Sequence, residues 1–249
     1  MPQKYMLWVN SRPKPGSGIH DDLWVKWYTE EHVRVTIVSI HATCSQIIQV
    51  PDLVNSKTAV RAAMYRESFD FALAAKEHHP RRYLVLYQTD FEECLKSKEY
   101  VNDVRHSSEK WPADKVTADV GDFNGRNYKL IQDYDPDGRG ETAPPFCVTV
   151  EMDPVDEADL DKWYREEHLD MLHKLPGYRR SSRYVIGPKA PLTEGDPPKY
   201  LAIHEVDGLT GLDGKEAEAA NSTPWTVKSI KESKAFVARA WELVYSQGF

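Results

Sequence analysis

Short apolar or alternating runs at Tyr5 to Val9 and Phe146 to Met152 each stand ahead of a stretch with helical spacing, separated from it by Pro, Gly or acidic residues. This predicts a strand followed by a helix in both places. The two helical stretches resemble each other. WVKWYTEEHV (Trp24 to Val33) and LDKWYREEHL (Leu160 to Leu169) have eight of ten positions identical or similar at an offset of 163 − 27 = 136 residues, which points to a duplication. Beyond the second copy, Pro176-Gly177 is a stop signal. Tyr178 to Ile186 and Lys199 to Val206 then read as strands, Thr210 to Ala220 and Thr226 to Trp241 as helices, and Glu242 to Ser246 as a last strand.

The first half reads less symmetrically. Ala42 to Val50 and Arg82 to Thr89 are its matching strands, with an amphipathic helical insertion at about 51–80, mainly Ser56 to Lys76, between them. The Gly/Pro-rich and charged stretch Asp133 to Pro145 reads as the connection between halves. The expected units are therefore 1–141 and 142–249. Each is a βαββαβ repeat of ferredoxin-like type, which buries one sheet face under helices and needs a second unit for the other. The expected class is α+β, with the two repeats pairing their open sheet faces within one chain. In the later strands Leu201 and Ile203 oppose Tyr200, Ala202 and His204, and Val148 and Val150 oppose Cys147, Thr149 and Glu151. Faces mixing polar, small and aromatic side chains are expected to line a closed cavity of ligand size.

Composition narrows the function classes. With 249 residues, of which 41% are hydrophobic and 11% aromatic, the chain can bury a sizeable core. Its net charge of −7 and scattered basic residues argue against a nucleic-acid partner. No secretory leader pattern and no apolar run of membrane-spanning length is found, so a soluble cytoplasmic protein is expected. Three well-separated cysteines, Cys44, Cys94 and Cys147, suit reduced thiols.

The stretch DKWYREEHLDMLHKLPGYRRSSRY (Asp161 to Tyr184), the strand PKYLAIHEVD and Thr223-Pro224-Trp225 resemble the EthD-like family. The resemblance covers about Phe146 to Val244 well and the first half less well, where the Pro-Gly-Tyr turn is missing. It implies a dimeric α+β barrel fold and small-molecule chemistry on aromatic or polyketide-like compounds, without a nucleotide cofactor. Relatives of such barrels include decarboxylases, cyclases, cofactor-free monooxygenases and haem-binding enzymes, and fold alone does not choose among them.

His168 is the first candidate for chemistry. On a helix it follows Tyr164 by one turn and shares an apolar stripe with Leu160 and Leu172. It either moves a proton in a cavity or is hydrogen-bonded to the neighbouring sheet. The family's Glu-His pair matches Glu167-His168, and His32 takes the same place in the first copy. His204, with Tyr200 on its strand face and Tyr87 as its first-half counterpart, is the second candidate. Tyr164, Trp163, Trp8, Glu151, His173 and Arg183 complete the expected substrate-binding set with Tyr200 and Tyr87. Adjacent Glu166 and Glu167 project in different directions and form no acid/base pair; one is expected to anchor a nearby base. No GxGxxG, Walker-type, GxSxG or HExxH motif occurs, so nucleotide, serine-hydrolase and zinc-protease readings lack support, and neither cofactor nor metal is expected. The expected function is a cofactor-independent enzyme that decarboxylates, dehydrates, cyclises or isomerises an aromatic or polyketide-like substrate. Rivals are a cofactor-free monooxygenase, a non-catalytic binding or stress-response protein and, third, a haem protein. A homodimer is compatible with the fold.

Overall fold

A computed structural model of the protein describes residues 2–32, 57–68, 79–104 and 106–249; the strand expected at Ala42 to Val50 lies outside them. Among the described residues the strands are β1 (Tyr5–Pro13), β2 (Arg61–Ser68), β3 (Tyr83–Thr89), β4 (Gly121–Tyr134), β5 (Phe146–Asp153), β6 (Tyr178–Ile186), β7 (Tyr200–Val206) and β8 (Ala235–Gln247). They form one closed antiparallel barrel in the order β1-β3-β2-β8-β5-β7-β6-β4. Starting from β4, the order is β4-β1-β3-β2 and then β8-β5-β7-β6, so each half runs its four strands in the same sequence.

Two long strands close the barrel. β4 pairs with β1 through Gly121 to Lys129 and with β6 through Tyr128 to Tyr134, shifting register between Leu130 and Gln132. β8 pairs with β5 through Ala235 to Glu242 and with β2 through Ala240 to Gln247. Each leaves one half of the sheet and joins the other, so no sheet edge remains in the barrel.

Two expectations are corrected here. Residues 235–241 form a strand, not the end of a helix. The run AFVARAWELVYSQ is apolar at both helical and strand periods, and pairing with β2 and β5 decides between them. The helices of this region are α6 (Lys215–Ser222) and α7 (Pro224–Glu232), after a short 3₁₀ turn at Thr210–Asp213. Likewise the insertion expected to be helical contains β2, whose Ala63 and Tyr65 face the barrel interior while Ala62 and Met64 face outward.

The interior is filled. Trp8, Tyr65, Tyr128, Tyr184 and Trp241 pack there with Leu84, Leu201 and Ile203. Buried ion pairs stitch these walls together. Arg239 Nε donates to Glu67 at 2.8 Å and Nη1 to Asn10 at 2.9 Å, Arg180 Nη2 donates to Glu205 at 2.5 Å, and Arg126 pairs with Glu151 while lying over the Trp8 ring. The matching is incomplete, since Arg126 Nε and Glu205 Oε2 are buried without a hydrogen-bond partner, and such atoms lower the net worth of the pairs. A void of about 20 Å³ is left beside Arg180 and Glu205. The expectation of a ligand cavity on the Cys147, Thr149 and Glu151 face is thereby corrected. Register pairs Val148 with His204 and Thr149 with Ile203, so the His204 face and the Glu151 face are opposite faces of the sheet, and the second is barrel core.

Helices cover the outer face. α1 (Asp21–Trp27) packs over Leu7, Val9 and Tyr87, with α2 (Lys98–Asp103) and α3 (Thr117–Val120) nearby in the chain of the first half. In the second half α4 (Glu157–Trp163) and α5 (Leu169–Leu172), with α6, cover Met152, Tyr178 and Ala202. Gly177 turns the chain from α5 into β6 at φ +77°, a conformation that only glycine adopts without strain. Among the described residues no helix is long and apolar enough to cross a membrane, and Cys94 and Cys147 are buried free thiols.

Candidate active site

The repeated Trp-Tyr-x-Glu-Glu-His run does not stay α-helical. Asp156 caps α4, accepting from the Ala158 and Asp159 amides at 3.0 Å each, and the helix runs to Trp163. Tyr164–His168 then form a π turn before α5 continues, and Tyr28–His32 form the matching turn after α1. In a regular α-helix two residues five apart point about 140° away from each other. The wider turn brings them together: the His168 ring stacks on Trp163 at 4.2 Å and 26°, and His32 on Trp27 at 4.5 Å and 21°. Such turns recur at functional sites.

The Thr-Pro-Trp segment braces this turn. Thr223 caps α7, accepting from the Thr226 amide, and its hydroxyl donates to Glu167 at 2.6 Å. The Trp163 indole donates to Thr226, whose hydroxyl donates to the Ala220 carbonyl. Glu167 is therefore held as an acceptor for Thr223, and Glu166 lies 3.8 Å from Lys162. In the first copy both glutamates, Glu30 and Glu31, pair with Lys110.

Between this helix layer and the outer face of β5 and β7 lies a cavity of about 80 Å³, well above the ~10–15 Å³ that one water needs. Val148, Leu172 and Phe236 supply apolar wall; Trp163, Tyr164, His168 and His204 supply rings. No Asp, Glu, Lys or Arg is among its lining residues. His168 is 6% exposed and its Nδ1 has no hydrogen-bond partner. Burial, with help from facing His204 and Arg183, pulls its pKa down to about 3. His204 is held down at about 4, again by burial first and Arg183 second. Both are neutral imidazoles at neutral pH. Their rings lie 6.4 Å apart at 80°, and Tyr164 stacks over His204 at 6.3 Å and 22°. Behind His204 runs a chain of hydroxyls: Tyr178 donates to Ser181 Oγ at 2.9 Å, and Ser181 Oγ is 2.7 Å from His204 Nδ1.

Four expected residues thus meet in one place, His168, His204, Tyr164 and Trp163. Arg183 backs the site. Its guanidinium lies 4.1 Å over the outside of the Tyr164 ring and is tied to Gln132 and Asp161. Tyr200 shares the His204 face but donates its hydroxyl to Glu157 near the surface. His173 is partly exposed and paired with Asp137 at 2.9 Å. Trp8 and Glu151 are inside the barrel with Arg126, separated from the cavity by the sheet. His32 and Tyr87 line a separate cavity of about 100 Å³ in the first half, where their rings repeat the same crossing at 6.3 Å and 88°. Ser181 and Tyr178 were not candidates on sequence. Tyr178 and Ser181 are three residues apart in a strand, which ordinarily puts them on opposite faces. The register shift between Tyr178 and Arg180 brings them to the same one. Among the described residues no cluster of three His, Cys, Asp or Glu could hold a metal. With no Arg or Lys in its lining to meet propionates, the cavity does not fit haem.

The chain is 24% identical to Core atranone cluster (CAC) protein 1 of Stachybotrys chlorohalonatus over 197 residues, 74% of each protein. No family model matches it. Among solved structures it is similar to a monooxygenase-like protein of Fusobacterium nucleatum, with a TM-score of 0.51 and 11% identity over 99% of this chain and 95% of that one. A second, an anthrone oxidase-like protein, has a TM-score of 0.47 and 11% identity over 98% and 93%. The first likeness shows the fold alone, a closed antiparallel eight-strand barrel with helices on its outer face.

Proposed function

We propose that the protein is an enzyme of small-molecule metabolism in which His168 moves a proton to or from an uncharged aromatic or enolisable compound held in the second-half cavity, without a nucleotide cofactor. One observation carries this reading. A buried ring nitrogen, Nδ1 of His168, is left without a partner at a cost of about 1–3 kcal/mol, and it belongs to a neutral imidazole on a cavity wall. A neutral imidazole accepts a proton from a phenol, enol or activated carbon, and the nearby anion so formed offsets the burial that otherwise disfavours imidazolium. The uncharged lining offers no counter-ion for a carboxylate, which favours dehydration, cyclisation or isomerisation over decarboxylation. The likeness to a protein named for an atranone cluster agrees with metabolism of this kind.

A second reading uses the same proton transfer. An aromatic anion in an apolar, ring-walled cavity could react with oxygen directly, as a cofactor-free monooxygenase requires, and the fold is shared with a monooxygenase-like protein. The compound that accumulates when the gene is deleted, incubated with purified protein, tests both. Conversion without oxygen uptake supports the first; conversion with stoichiometric uptake supports the second; binding without conversion would leave a carrier.

The proposal includes an evolutionary arrangement, in which residues 1–141 and 142–249 are tandem ferredoxin-like units that close one barrel. The shared strand order, the two π turns and the matching ring geometries support it.

A further inference from the structure

The two histidines of the cavity are not equivalent. Tyr178 and Ser181 stand in line behind His204, and each bond in that line has a preferred direction. A phenol hydroxyl is a stronger donor than an aliphatic one, and a neutral imidazole's bare nitrogen is a strong acceptor. The Tyr178 hydroxyl also lies 3.5 Å from the Tyr134 carbonyl, a poor alternative to the 2.9 Å contact with Ser181. Tyr178 therefore donates to Ser181. The serine oxygen keeps a second lone pair, but its hydroxyl hydrogen has no other acceptor among the described residues, so the arrangement that satisfies it is donation to His204 Nδ1 at 2.7 Å. With Nδ1 accepting, His204 carries its proton on Nε2. Nδ1 of His168, in contrast, has no partner that would fix its role.

Building on the proposed function, we infer that Ser181, oriented by Tyr178, is a positioning residue that locks His204 as the Nε2–H tautomer. The cavity then offers a fixed donor, His204, beside a free acceptor, His168. Such a pair suits an uncharged carbonyl compound with an acidic hydrogen next to the carbonyl. His204 Nε2–H hydrogen-bonds the carbonyl oxygen as negative charge gathers there, while His168 takes the carbon-bound proton. The electron pair of the broken C–H bond becomes the enolate, and the same proton returns to carbon or oxygen in the product, so no oxidant or reductant is consumed.

Two-bond ¹H–¹⁵N correlation spectra of the wild type, with His204 assigned by loss of its signals in His204→Gln, report the tautomer without any substrate. The expected result is Nε2–H in the wild type, a mixture of tautomers in Ser181→Ala, and recovery in Ser181→Thr. With the compound that accumulates in the deletion strain, Ser181→Ala should lower kcat about tenfold with KM little changed, and Ser181→Thr should restore it. An Nδ1–H tautomer in the wild type, or an unaltered tautomer in Ser181→Ala, would overturn the inference even if the protein is an active enzyme. An Nε2–H tautomer that depends on Ser181 in a protein that converts nothing would uphold the lock and count against the enzymatic reading alone.

Discussion

Trp163 and His168 stack at 4.2 Å although five residues separate them, and the π turn at Tyr164–His168 makes the contact possible. A turn of this kind is equivalent to one residue inserted into an α-helix. Deleting the exposed Arg165 should turn this stretch into continuous α-helix and leave the Trp163 and His168 side chains four residues apart, a spacing that keeps them on one face. The expected outcome is retained helical circular dichroism, cooperative melting and turnover within a few-fold of the wild type. A loss as deep as in His168→Ala would show that the π turn does more than bring the two rings together.

Acid should destabilise the fold before carboxylates titrate. The folded pKa values of His168 and His204, about 3 and about 4, lie below the ordinary histidine value of 6.5. Between the two ranges the unfolded chain binds more protons, so stability is full above about pH 6.5 and falls as pH drops towards the folded values. His32, held at about 3 chiefly by burial, adds to the same window. Each histidine contributes a slope of about 1.4 kcal/mol per pH unit. Urea unfolding from pH 7 to pH 4.5 should show the slope, and His204→Gln should reduce it.

The second half of the fold is more legible in the sequence than the first. β5, β6 and β7 stand out because alternation and Pro-Gly punctuation agree there with the final pairing. β8 did not, because Ala, Leu and Glu in AFVARAWELVYSQ suit a helix and its partners β2 and β5 lie far away in the chain. β2 is hidden for a related reason, since Arg61, Arg66 and Glu67 give RAAMYRES a helical look, while Glu67 is buried against Arg239. Within the site, the repeated motif marks Trp163, Tyr164 and His168, but a π turn leaves no signature in spacing. Ser181 has no signal of its own, because its role depends on a strand irregularity beside Tyr178.

The ion pair between Arg239 and Glu67 joins β8 to β2 across the two halves. Arg239→Leu leaves a buried carboxylate without its partner and should cost about 3–5 kcal/mol. The double variant Glu67→Leu/Arg239→Leu should recover much of that loss, as read by denaturant midpoints. Equal destabilisation in the single and double variants would mean that packing, not charge pairing, is lost.

Thr223→Ala removes both the cap of α7 and the hydroxyl that Glu167 accepts. A stability loss of about 0.5–2 kcal/mol is expected. Thr223→Ser should restore it in thermal melts, because the serine hydroxyl can make both bonds.

In the proposed reaction the second-half cavity does the chemistry and His168 is its base. The direct measurement is the rate at which the compound accumulated by the deletion strain is converted by the wild type, His168→Ala and His32→Ala, each checked for folding. Conversion within a few-fold of the wild type is expected in His32→Ala, and a loss of about 10²–10⁴ in His168→Ala. Undiminished conversion by His168→Ala would contradict His168 as the base.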